Sequence, residues 1–328
     1  MKRVIVTGAS GFIGANLARR LVAEGHQVSV LVRRQSDLWR LEDIKDSLEI
    51  REVSLTDCPA VFETVTEVRP QWIFHCAVFG AYSWQTDWPG MVATNVTGTI
   101  GLMEACLSAG FEAFVNTGSS SEYGYKDHPA REDERVDPNS HYAVTKAAAS
   151  QYCSYMARDR NVHAVTLRLY SVFGPYEEPN RFVPTLTVKG LSGELPPLVN
   201  PSIARDYVHI DDVVEAYLLA ATKSGQEPGA VYNVGSGTQT SIAQAVDIAR
   251  RLLDIQDEPQ WGSMPNRSWD TSSWVADNNK IKATLGWHPS HSFEEGIKTF
   301  AEWFRQNPEM LEYYSGKISR PSRATALR

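Results

Sequence analysis

The chain opens Val4-Ile5-Val6-Thr7-Gly8-Ala9-Ser10-Gly11-Phe12-Ile13-Gly14, and no other stretch constrains the fold as much. Three apolar residues read as a short buried strand. The glycines read as a tight loop, and Phe12, Ile13, Leu17, Leu21 and Val22 then recur at helical spacing. In such a loop one glycine turns the chain, another admits a pyrophosphate close to the backbone, and a third lets helix and strand pack closely. The helix start adds free N–H groups and a partial positive charge, both suited to phosphate. Gly8, Ser10, Gly11, Phe12, Ile13 and Gly14 are therefore candidate dinucleotide-binding residues. The competing reading, a purely structural turn, is disfavoured by the strand–loop–helix context.

The same alternation continues. Strand patterns at 28–32, 48–53, 72–76, 113–117 and 164–169 are separated by helical patterns, notably 89–109 and 142–160. Alternating β and α units with right-handed crossovers predict an α/β fold built on a doubly wound parallel sheet. After residue 171 the rhythm changes: Pro175, Pro179, Pro184, Pro196, Pro197 and Pro201 crowd together, and helical patterns return at 211–221, 241–253 and 293–305. This predicts a smaller C-terminal α/β substrate-binding lobe against the sheet's carboxyl edge. The expected division is 1–174 with about 206–234 as the dinucleotide-binding unit, and about 175–205 with 235–314 as the lobe. Residues 315–328 carry Lys317, Arg320, Arg323 and Arg328 without an acid and read as a flexible tail.

Composition narrows the class. An apolar share of 42% and a charged share of 22% fit a globular chain, and no apolar run approaches the ~20 residues of a membrane span. A net charge of −7 gives no support for nucleic-acid binding. The four cysteines, Cys58, Cys76, Cys106 and Cys153, form no CxxC pair and no metal-spaced cluster, so free thiols and no metal are expected. The first apolar run stops at Gly8, which argues against a signal peptide and for a cytoplasmic protein.

Two features carry chemistry. Tyr142 and Lys146 sit four apart at the start of a helical pattern and so share one face. A nearby ammonium favours phenolate, which suits Tyr142 to exchange a proton while hydride moves to or from a nicotinamide. Lys146 would also hold the nicotinamide ribose. Thr117-Gly118-Ser119-Ser120-Ser121-Glu122-Tyr123-Gly124 ends a strand at the sheet's carboxyl edge, where a serine hydroxyl can bind the reacting oxygen. The second strand ends in Arg33-Arg34, with no acid before Asp37 to hold a ribose 2′-hydroxyl. That pair suits a 2′-phosphate, so NADP is the expected cofactor and NAD the alternative. Two solvated surface arginines are the competing reading.

Together the Gly8-xx-Gly11-xx-Gly14 spacing, the serine segment and Tyr142-xxx-Lys146 resemble the extended short-chain dehydrogenase/reductases that act on nucleotide sugars, a Rossmann-fold family. The likeness runs from residue 4 to about 304. It includes Asn95-Val96-Thr97-Gly98-Thr99, the run from Arg168 to Pro175, the run from Arg205 to Asp212, the run from Val231 to Gly237, and Leu285-Gly286-Trp287. The resemblance implies a catalytic set of Ser119, Tyr142 and Lys146. Ser119 follows from a gapless register on Tyr123-Gly124; Ser120 is the alternative, and otherwise a substrate contact. Asn95 becomes a support of the site. Leu55 and Ala77 would border the dinucleotide. The family's acidic–apolar pair near the adenine reads Ser54-Leu55 here, with Asp57 as a stand-in. Arg205 and Arg267, the latter in Pro265-Asn266-Arg267-Ser268-Trp269-Asp270, would bind the substrate pyrophosphate, with Asp270 near the ribose and Arg181 a further candidate. Helices at 89–109 and 142–160 would form a homodimer interface.

Three reactions share oxidation or reduction at sugar C4. Arg33 favours a 4-keto sugar reductase using external NADPH. A 4-epimerase, which recycles bound NAD, is the alternative. A 4,6-dehydratase ranks third, because the gapless register leaves no acid at 119–121; a one-residue slip would restore one through Ser120-Ser121-Glu122. A dinucleotide-binding redox sensor is the non-enzyme reading, and the retained Ser119, Tyr142 and Lys146 speak against it.

Overall fold

A computed structural model describes residues 1–82, 84–265 and 273–318. The strands are β1 (Arg3–Thr7), β2 (Gln27–Val32), β3 (Leu48–Glu52), β4 (Trp72–His75), β5 (Ala113–Ser119), β6 (Ala164–Leu169), β7 (Ser171–Phe173), β8 (Ala204–His209), β9 (Val231–Val234) and β10 (Gln239–Ser241). Seven of them form one sheet in the order β3-β2-β1-β4-β5-β6-β9, and every pair is parallel. The order reverses direction between β1 and β4, which opens a crevice at their carboxyl ends. A second sheet, β10-β8-β7, pairs β7 and β8 parallel and β8 and β10 antiparallel.

The helices are α1 (Phe12–Ala23), α2 (Cys58–Val68), α3 (Trp88–Met91), α4 (Gly98–Ala109), α5 (His141–Arg160), α6 (Phe182–Leu191), α7 (Ile210–Thr222), α8 (Ile242–Leu253), α9 (Asn279–Leu285), α10 (Phe293–Gln306) and α11 (Pro308–Ile318). A π-helical segment, Val92–Thr97, joins α3 to α4, so the predicted helix at 89–109 is one run with a wide turn inside it. Burial divides by face. Leu17 and Leu21 of α1 and Val213 and Tyr217 of α7 pack on one side of the large sheet. Val61 and Val65 of α2, Leu102 of α4 and Met156 of α5 pack on the other. Both faces are covered, which is why β1, β4 and β6 read as continuous apolar or buried runs rather than alternating ones.

The lobe has its own core, with Val183 and Val188 of α6, Ala245 of α8, and Ile297, Phe300 and Phe304 of α10 closing on Phe173 and Tyr207. Three helices, α6, α9 and α11, escape sequence reading. Pro184 is the third residue of α6 and Pro308 the first of α11, and a first-turn proline loses no intrahelical bond. The tail predicted from 315 is corrected accordingly: α11 continues to Ile318, anchored by the buried ring of Tyr314. Residues 319–328 lie outside the described residues. No helix among the described residues is long and apolar enough to cross a membrane.

Candidate active site

The glycine loop sits at the mouth of the crevice. Gly8 has φ +69°, and a Cβ there would stand 2.6 Å from Ala77 N, so β1 and β4 end back to back only because residue 8 lacks a side chain. A Cβ on Gly14 would stand 2.5 Å from Gly8 O, which assigns Gly14 to helix–strand packing. Gly11 caps α1 with extended backbone and leaves the first N–H groups of Phe12 and Ile13 facing the loop. The loop thus has the shape that a pyrophosphate requires, and the dinucleotide expectation fits these residues.

Arg40 is a site residue that sequence reading misses. It is buried, donates to Ser10 O at 3.2 Å and to Tyr176 O at 2.7 Å, and pairs with Glu178 at 3.3 Å. One guanidinium therefore ties the glycine loop to the loop that follows β7. Its only sequence signal is an arginine spaced one turn past an exposed stretch, which any surface residue shares. Arg33 and Arg34 are exposed at the end of β2, and no carboxylate pairs with either among the described residues. Asp37, the first acid after them, accepts from Trp39 N at 3.2 Å. Asp57, proposed above as an adenine contact, caps α2 by accepting from Ala60 N at 3.2 Å. Leu55 is buried against Gly98, so its side chain packs on α4.

Ser119 ends β5. Its hydroxyl lies 2.7 Å from Ser121 Oγ and is near enough to the Tyr142 phenol to lower its proton affinity. Ser120 is directed elsewhere: its Oγ accepts from Trp274 Nε1 at 3.1 Å. The structure therefore brings Ser119, rather than Ser120, to Tyr142. Tyr142 stands in the first turn of α5, whose N-cap Ser140 accepts from Ala143 N at 3.1 Å. Burial pushes the phenol up to about 12; the Ser119 hydroxyl and Arg181 pull it down, while Glu122 and Tyr82 push it up. Lys146 is buried, which lowers its ammonium below the ordinary lysine value, and Glu122 leads the groups that oppose this. The expected depression of the phenol by Lys146 is thus not seen in the protein alone, because desolvation dominates.

Glu122 bears on the dehydratase reading. Its carboxylate is fully buried, accepts from Ser119 N at 2.8 Å and pairs with Arg168 at 2.9 Å. It is engaged beneath the serine loop by Ser119, Ser150 and Arg168, so the carboxylate that a one-residue slip would offer to a dehydratase is already held by protein partners.

Behind the crevice runs a buried polar chain. Thr99 Oγ1 donates to Asn95 O at 2.7 Å, so it accepts from His75 Nε2 at 2.8 Å. His75 Nδ1 is then an acceptor for Thr7 Oγ1 at 2.7 Å, and Thr7 Oγ1 accepts from Ala77 N at 3.1 Å. Asn95, in the π segment, clamps Phe79 through its N–H (2.8 Å) and carbonyl (2.7 Å) and donates to Thr145 on α5 at 2.9 Å. The chain links the glycine loop to the helix that carries Tyr142 and Lys146.

On the lobe side, Arg205 on β8 lies 5.7 Å from the Trp274 ring. Trp274 therefore stands between Arg205 and the serine loop, in a small hollow lined also by Tyr123, Tyr170 and Val275. Arg267 and Asp270 lie outside the described residues. Among the described residues one His/Asp group, His209, Asp211 and His291, has ligand-type atoms within 4.8 Å of one another. Protein partners already engage it: His209 Nδ1 caps α7, and His291 Nδ1 faces Asp212 at 3.1 Å.

Residues 4–235 match the model of the NAD dependent epimerase/dehydratase family. A UDP-glucose 4-epimerase of Mycolicibacterium smegmatis is 32% identical over 94% of this chain and 100% of its own length. Among solved structures, the UDP-glucose 4-epimerase of Thermotoga maritima, with UDP-glucose, is 28% identical with a TM-score of 0.83, covering 93% of this chain and 99% of that one. The UDP-glucose 4-epimerase of Thermus thermophilus, in complex with NAD, is 28% identical with a TM-score of 0.81, again over 93% of this chain and 99% of that one.

Proposed function

Since the chain belongs to the NAD dependent epimerase/dehydratase family, we propose that it is a 4-keto nucleotide-sugar reductase that takes its hydride from external NADPH. The observation that carries the choice is the end of β2, where Arg33 and Arg34 stand exposed without a carboxylate partner among the described residues. Guanidinium suits a 2′-phosphate, whereas an acid there would suit a 2′-hydroxyl. The dinucleotide, held by Gly8, Ser10, Gly11, Phe12, Ile13 and Gly14 with Leu55 and Ala77 alongside, supplies the hydride.

In this reading Ser119 holds the C4 carbonyl oxygen and Tyr142 gives it a proton as the carbon gains hydride. The ketone becomes an alcohol, and Lys146 stabilises the resulting phenolate and binds the nicotinamide ribose. A phenol held near 12 is protonated at neutral pH, the state required of an acid that delivers a proton to a ketone. Arg205 and Arg267 bind the pyrophosphate, Ser120 borders the sugar, and Trp274 flanks it.

A second reading, a 4-epimerase that retains NAD, is favoured by the end-to-end likeness to UDP-glucose 4-epimerases. One experiment separates the two. The purified protein is denatured, any released dinucleotide is identified, and the remainder is titrated with NADH and NADPH. An empty protein that prefers NADPH, and loses about tenfold or more in NADPH affinity on Arg33→Ser with NADH binding unchanged, supports the reductase. Stoichiometric NAD released from the protein supports the epimerase.

A further inference from the structure

Glu122 lies three residues after Ser119, in the short 3-10 turn Ser120–Tyr123 that closes β5. Its carboxylate joins three elements. One oxygen accepts from Ser119 N at 2.8 Å and from the Ser150 hydroxyl at 2.9 Å; the other accepts from Arg168 Nε on β6 at 2.9 Å. Gly118 leaves the room, since a Cβ there would stand 2.8 Å from a Glu122 oxygen and 3.1 Å from Arg168 Cγ. Tyr142, Lys146 and Ser150 are spaced four apart on α5, so Glu122 touches the helical face that carries the tyrosine and lysine, one turn further along.

A fold has little to gain from such a group. Both members of the Glu122–Arg168 pair are buried, and a buried pair is a poor stabiliser beside apolar residues of the same volume. Arg168 is itself incompletely satisfied: Nη1 has no partner, and its guanidinium lies 4.5 Å from the Tyr123 ring. The groups that face Lys146 explain the placement better. From β4 comes His75, which burial keeps neutral, and just beyond it Cys76, whose thiol burial pushes up to about 11. From α5 itself comes Cys153, whose thiol burial pushes up to about 12. Among these, Glu122 alone offers a counter-charge to a buried ammonium.

We propose that Glu122 is a positioning residue for the redox step, a buried counter-charge that keeps Lys146 an ammonium while its contact with Ser119 N fixes the serine loop. The proposal rests on the assignment of Ser119, Tyr142 and Lys146 given above. It makes Lys146, rather than the fold, the beneficiary of the buried pair.

The test follows NADP⁺ affinity from pH 6 to pH 10 by fluorescence titration and needs no substrate. Lys146→Met identifies the alkaline limb that reports the ammonium on the ribose. Glu122→Gln keeps the shape, and Glu122→Gln with Arg168→Met removes the orphaned guanidinium, so that at least one variant folds with a wild-type melting profile. The expected result is an alkaline limb displaced by at least about one pH unit to lower pH in Glu122→Gln, the size a lost neighbouring charge produces, and displaced less far in the double variant, which removes one charge of each sign. A limb that stays in place while affinity falls equally at every pH makes Glu122 merely structural and overturns the proposal. So does a wild-type limb that survives Lys146→Met. A wild-type protein that binds neither NADP⁺ nor NAD⁺ defeats the cofactor reading instead, which keeps the two failures apart.

Discussion

His75 shows how a single residue records its surroundings. Its ring bridges Thr7 and Thr99 in full burial, and desolvation, with Lys146 nearby, drives its proton affinity down to about 3. The sign of the consequence follows. The folded value lies below the ordinary 6.5, so between those limits the unfolded chain binds a proton that the folded chain refuses. Stability is complete above about pH 6.5 and falls as the pH is lowered, by about 1.4 kcal/mol between pH 7.5 and 5.5 from this group. Urea unfolding at those two pH values measures it, and His75→Gln, though less stable overall, should lose that share of the pH dependence. At the same scale Tyr142, Lys146 and Ser119 were legible because each is a chemical type at a fixed spacing. Ser119 was preferred to Ser120 on a gapless register, and the coordinates add where each hydroxyl points: Ser120 Oγ toward Trp274 Nε1, and Ser119 Oγ toward Ser121 beside Tyr142.

At the scale of elements, the two binding loops are coupled by residues that no motif contains. Arg40 joins Ser10 O to Tyr176 O, Asn16 on α1 donates to Pro175 O at 3.0 Å, and Tyr314 on α11 donates to Glu177 O at 2.6 Å. The loop between β7 and α6 is thus held against the glycine loop from three helices or turns. Tyr176 adopts φ +69° within it, a conformation an aromatic residue keeps only where its neighbours impose it. Arg40→Met removes the central tie. It should weaken NADPH binding and lower stability together, each by about 1–3 kcal/mol, because it strips buried charge-assisted hydrogen bonds. NADPH titration and thermal melting check this. A loss of stability with NADPH affinity unchanged would show that the tie serves the lobe alone.

For the molecule as a whole, the outer face of α5, the start of α3 and the first residue of the π segment expose apolar side chains: Val144 at 52%, Tyr155 at 55%, Trp88 at 57% and Val92 at 43%. A set this large on adjoining helices fits the homodimer expected from the sequence, with α5 and the run from 88 to 109 at the interface. The double variant Val144→Glu/Tyr155→Glu should sediment as a monomer where the parent sediments as a dimer, with the crevice and its NADPH affinity largely retained. A parent that sediments as a monomer removes the expectation.

The parallel sheet, the glycine loop and the tyrosine–lysine pair were determined by the sequence alone. Each leaves a local mark, since alternating strand and helix patterns, a glycine spacing and a four-residue repeat are written within one strand–loop–helix unit or one helical turn, even though the strand pairing itself is long-range. The tertiary structure decided what crosses between units: Arg40 beneath the loop, Trp274 against Ser120, the His75–Asn95 chain, and Glu122 turned inward to Arg168. Glu122 and Arg168 are 46 residues apart along the chain, and Ser120 and Trp274 are 154 apart. Nothing local marks such partners, and burial, which lowers the proton affinity of Lys146 and raises that of Tyr142, exists only once the sheet and its helices have closed around them.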